Sequence, residues 1–240
     1  MHRIDYLNLT FIALLSLLAC TAHAQSIETF QKGAIISGGF VTLGKRQVPI
    51  PPGEWKLASV KEGRTRIQAP QFRDDAKTVN ALLIRNRNGE YDIGIRVFGS
   101  LASTGAGRWS DEPCKSDDVL YKNTFNSTYE HPECLLIDFH LPDPNNNIHF
   151  TFLSAVYSKY MWGDFLIVTY YVNPALRGIT TSSASSRRNN EWHKDKIHLS
   201  KEKSEYLARF KEWALDAAGV YRRLLLGDST PVAGQIASLP

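Results

Sequence analysis

The side chains able to do chemistry in this sequence are two cysteines, five histidines and a group of aromatic residues, all beyond residue 24. Cys114 and Cys134 lack the Cys-x-x-Cys spacing of a redox pair, and a lowered thiol pKa is not expected of them. In an exported chain they are expected to form a structural disulfide, closing a stretch whose Gly105, Gly107, Pro113 and Pro132 leave little apolar surface to order it. His193 and His198 stand five apart and share no helix face, while His131, His140 and His149 sit in or beside turns without a patterned set of Cys, Asp or Glu. No metal site is expected. Asp143 with Asn145, Asn146 and Asn147 offers oxygen atoms, but not the ordered carboxylate and glycine spacing of a calcium loop, so a turn accounts for them.

The sequence contains no Gly-x-Ser-x-Gly elbow, phosphate loop, dinucleotide fingerprint or His-Glu-x-x-His helix. No cofactor is expected and no catalytic residue is assigned. The enzyme alternative is a hydrolase with dispersed groups, which requires His193 or His149 to meet a carboxylate and a hydroxyl. The candidate ligand-binding residues are Trp162, Tyr171, Arg177 and Trp192, which combine aromatic faces with a permanently charged planar fork suited to a carboxylate or other anion. The polar run Thr180 to Asn190 is the candidate flap over them. A small molecule or another protein is the expected partner. The net charge of +4 is spread along the chain rather than gathered on one element, so no nucleic acid is expected.

The elements that must position these residues are mainly strands. Asn88-Gly89 suits a two-residue turn with positive φ at both positions. Pairing Arg87 with Glu90 then sets Arg85 opposite Asp92, Ile84 opposite Ile93 and Leu82 opposite Ile95. Phe40 to Leu43 and Trp55 to Val60 read as short strands joined by the stiff Pro49 to Gly53 segment. Leu135 to Phe139, Ile148 to Tyr157 and Phe165 to Val172 are rich in β-branched and aromatic residues. From Lys201 to Leu226 apolar residues recur at three- and four-residue steps, with Ser200 as N-cap and Gly227 as stop. The expected fold is α+β: a mainly antiparallel sheet of about seven strands packed against a long C-terminal amphipathic helix.

The first 24 residues read as a secretory leader: Arg3, an apolar run from Leu7 to Ala19, and Ala22-His23-Ala24 before the cut. Leu17-Leu18-Ala19-Cys20 also resembles a lipoprotein acylation box, although Leu18 is larger than the residue usual there, so lipidation at Cys20 is the lesser alternative. Neither this run nor any later one has the roughly 20 apolar residues of a membrane span. The expectation is an exported protein, periplasmic or secreted, with one globular domain over residues 25–227 and a disordered tail over 228–240. A non-enzymatic binding or accessory role, through a sheet face or the aromatic group, is the leading functional expectation.

Overall fold

A computed structural model describes residues 26–66, 75–102, 114–128, 130–143, 150–181, 184, 186–226 and 236–240. Eight strands form one antiparallel sheet: β1 (Ile35–Leu43), β2 (Arg46–Arg66), β3 (Asp75–Arg87), β4 (Glu90–Ser100), β5 (Tyr121–Asn126), β6 (Glu133–His140), β7 (Phe152–Met161) and β8 (Asp164–Val172). Their order, β1-β2-β3-β4-β8-β7-β6-β5, is that of two four-stranded meanders meeting at β4 and β8. The helix α1 (Lys201–Leu225) packs on one face. The expected α+β architecture of sheet against terminal helix is the observed one.

The eighth strand is β5. Its sequence mixes the strand formers Tyr121, Thr124 and Phe125 with Lys122, Asn123 and Asn126, which disfavour strands. It is held by β6 and by cations of α1, with Lys211 4.2 Å from the Tyr121 ring centre and Arg222 4.5 Å from that of Phe125. The proline segment also departs from expectation. The turn lies at Gly44-Lys45, and β2 runs straight through Pro49, Pro51 and Pro52. Proline is tolerated because β2 pairs only with β1 over this half and takes up β3 from Lys56 onward, so the missing N–H groups leave no second ladder broken.

The Asn88-Gly89 turn and its Arg87–Glu90 pair form as the sequence predicts, but the register shifts at once. Arg85 faces Ile93, and Leu83 rather than Leu82 faces Ile95. The extra residue is Asp92, and this bulge turns its carboxylate inward, 3% exposed, to an ion pair with Arg177. One residue of shift exchanges the faces, so Leu83 and Ala81 enter the core while Leu82 and Ile84 sit half-buried on the other side.

The core lies between the sheet and a cover made of α1 and the β1–β2 hairpin. Ser200 caps the helix, its hydroxyl accepting from the Lys203 N–H. Tyr206, Phe210, Trp213, Ala217 and Tyr221 face inward as the periodicity predicts. Trp213 meets Tyr170 of β8 edge-on, ring centres 4.8 Å apart, and Tyr221 stacks on Tyr157 of β7 at 5.4 Å. Tyr221 donates to the Pro49 carbonyl at 2.7 Å, fastening helix to hairpin. Gly99 of β4 lets the hairpin close: a Cβ there would lie 2.7 Å from Leu43 and 2.8 Å from the Phe165 carbonyl oxygen. Within the tail expected to be disordered, residues 228–235 lie outside the described residues, while Ile236 and Leu239 are buried and the Ala237 carbonyl accepts from Trp213 Nε1 at 3.0 Å.

Candidate functional site

Alternation along β8 decides which side chains are available. Tyr170 points into the core, so Tyr171 lies on the face away from α1. The same alternation sends Phe152 and Ser154 of β7, and Asp138 and His140 of β6, to that outer face. The rings meet there. His140 stacks on Phe152 at 4.7 Å, Phe152 meets Tyr171 edge-on at 5.5 Å, and Tyr91 lies nearly parallel to Phe150 at 6.3 Å. Gly94 stands opposite Tyr171 in the β4–β8 register, and its missing side chain is the space the Tyr91 hydroxyl occupies. The result is one aromatic cluster in which Tyr91, Phe150, Phe152 and Tyr171 are half-buried and His140, at the end of β6, is exposed.

Its electrostatics are those of a partly dry surface. Burial is the main reason the His140 pKa lies below its ordinary value near 6.5; Asp138 opposes the shift and Arg187 adds to it. Burial also raises the Tyr91 hydroxyl well out of the physiological range, with Tyr171 adding to the effect. His140 Nε2 shares a 2.8 Å hydrogen bond with Ser154 Oγ. That spacing suits a nucleophile and its base, but Ser154 is fully buried beneath the rings and cannot reach a substrate carbonyl as it stands.

Apart from the cluster, an open depression of about 500 Å³ is lined by Asp117, Asp118, Arg187, Arg188, His193, Lys194 and Asp195. Most of its charges neutralise one another. Arg187 and Lys194 each lie 3.2 Å from Asp118 and hold its carboxyl below the usual range. Arg187 also binds Asp138 and donates to the Phe139 carbonyl, beyond the point where β5 stops pairing with β6. It is a strap over an open strand end. His193 Nδ1 accepts from the Asp195 N–H, and among the described residues no hydroxyl side chain lines the depression. Among the described residues, His193 meets a carboxylate but no hydroxyl there, and His149 lies outside the described residues.

The four residues expected to share a site lie apart. Trp162 is 59% exposed at the β7–β8 turn, at the opposite end of the hairpin from Tyr171. Arg177 is taken up by Asp92, and Trp192 is wholly inside, edge-on to Tyr206 at 6.3 Å. Only Tyr171 belongs to the aromatic cluster. Of the flap Thr180 to Asn190, residues 182, 183 and 185 lie outside the described residues, and Asn190 is buried with its amide on Thr151. Sequence reasoning missed Tyr91, Phe150, Phe152 and His140 as a group; the one available signal was Gly94 inside a β-branched run.

Cys114 and Cys134 are disulfide-bonded, with Cα atoms 5.8 Å apart. No group of three or more potential metal ligands occurs among the described residues, and no described helix is long and apolar enough to cross a membrane. Compared with known proteins, the chain matches no family model, no curated protein and no solved structure.

Proposed function

We propose that this chain is an exported, non-enzymatic binding module that takes a small molecule or peptide with a flat apolar face on the sheet surface opposite α1. The observation carrying this is the aromatic cluster itself. Five rings share the face the helix does not cover, with Tyr91 and Tyr171 packed over the strand glycine Gly94. Export is supported by the leader-like first 24 residues and by the disulfide. The intact mass of the processed protein separates cleavage before Gln25 from acylation at Cys20.

Titrating the full chain with a panel of soluble saccharides and aromatic peptides, followed by amide NMR, tests the site. The expected shifts centre on Gly94, His140 and Tyr171, and Tyr171→Ala weakens the best binder at least tenfold while the protein stays folded. Shifts confined to the Arg187–Lys194 depression would move the site there. The Ser154–His140 hydrogen bond favours a second reading, hydrolysis after a local opening exposes the serine. Turnover of chromogenic esters or glycosides that disappears in Ser154→Ala would establish that reading and end the first.

A further inference from the structure

Two hairpins of the sheet close on the same kind of two-residue turn. Asn88-Gly89 joins β3 to β4 and Trp162-Gly163 joins β7 to β8, with Arg87–Glu90 and Met161–Asp164 as the closing pairs. Asn88 and Trp162, at φ 53° and 30°, are the described non-glycine residues with positive φ. Asparagine adopts this region readily because its short side chain bonds locally. For a bulky aromatic it is an outlier, and burial does not compensate, since Trp162 stays 59% exposed with its ring against His131 at 4.9 Å. A strained aromatic held out in water points to something it meets.

Among the described residues, unpaired cations lie toward the same end of the sheet, beyond the Asp164 that closes the Trp162 turn. Arg46 pairs with Asp164 at 2.8 Å, which ties the Gly44-Lys45 turn to the start of β8 after Trp162-Gly163. Leu101 donates its N–H to the Lys77 carbonyl while its own carbonyl lies against Gly44, which sets Lys77 near Lys45. Arg64 is directly opposite Lys77 in the β2–β3 register. Lys45, Arg64 and Lys77 are all exposed, and none has an ion-pair partner among the described residues. Like charges directly opposite on a sheet disfavour the pairing unless an anion meets them.

We propose that this end of the molecule docks on an anionic lipid surface. Trp162 seats its ring at headgroup level, where indole is at home, and Lys45, Arg64 and Lys77 face the phosphates. The docking end lies away from the aromatic cluster, so either surface can fail in experiment without the other.

The test uses the full chain as recovered from its producing cells, with vesicles of phosphatidylcholine alone or mixed equally with phosphatidylglycerol carrying brominated acyl chains. Indole fluorescence of the parent is expected to be quenched on the anionic vesicles, and Trp162→Asn to lose most of that quenching. Because every variant keeps the parent N-terminus, an apolar leader or acyl group contributes equally to all of them. Lys45→Glu combined with Lys77→Glu is expected to lower the salt-sensitive part of the binding at least tenfold. Trp162→Asn should also melt above the parent, as relief of turn strain requires. Absence of quenching on anionic vesicles, equal quenching of parent and Trp162→Asn, or a lower melting temperature for that variant would overturn the proposal; an acidic protein partner at this end would give the first of these.

Discussion

Tyr170 and Tyr171 are consecutive on β8 and do opposite work. Tyr170 is 2% exposed; it gives its hydroxyl to Tyr221 and receives the edge of Trp213. Tyr171 is half-buried, touches only the rings of Phe152 and His140 in aromatic contact, and makes no hydrogen bond among the described residues. One face of the sheet is thus closed by packing and by shared hydroxyls, while the other keeps the same residue type with its polar end unspent. A strand separates support from recognition because adjacent side chains leave it in opposite directions.

The largest expected effect breaks the covered face. Trp213→Ala should cost about 3–5 kcal/mol, because the ring is buried against Tyr170 and Phe210 and its N–H would leave the Ala237 carbonyl unpaired. An unchanged melting temperature would show that the helix does not close the core. The open face is held differently: Cys134 leaves β6 on the same side as His140 and is tied to Cys114. Replacing both cysteines by serine should lower stability by about 3 kcal/mol for a loop of this length, measured by urea unfolding.

The two tyrosines give a sharper contrast. Tyr170→Phe should cost about 1 kcal/mol, since the Tyr221 oxygen loses its buried donor, and Tyr171→Phe close to nothing. Equal losses would erase the distinction between the faces. The smallest effect is set by acid. His140 has its pKa lowered by burial, so the unfolded chain takes up a proton at higher pH than the folded one. Stability from this group is complete above about pH 6.5 and is lost as pH falls below that value toward the folded pKa. Thermal melts between about pH 7 and 5 should show a slope that His140→Phe reduces; an unaltered slope would place the acid sensitivity elsewhere.

Much of the fold was legible because its signals are local. The Asn88-Gly89 turn, the three- and four-residue steps of α1 and the Ser200 cap depend on neighbours in sequence, and all three formed. The Asp92 bulge was not legible, since its cause is Arg177, 85 residues away. Nor was β5, whose polar residues become a strand only beside β6 and under Lys211 and Arg222. The four expected site residues are dispersed for the same reason. Trp162, Tyr171, Arg177 and Trp192 are close in sequence, but a hairpin places Trp162 and Tyr171 at opposite ends, and burial removes Trp192.

The sequence by itself determined the class of this protein: an antiparallel sheet with one amphipathic helix, and a disulfide between the two cysteines beyond residue 24. Periodicity and composition suffice for that, because burying an apolar stripe and pairing thiols follow from residue type. Only the tertiary structure decided which rings share a surface. Tyr91, His140, Phe152 and Tyr171 come from four strands and Phe150 from the segment before β7, and a single residue of register would send each strand's ring to the other face.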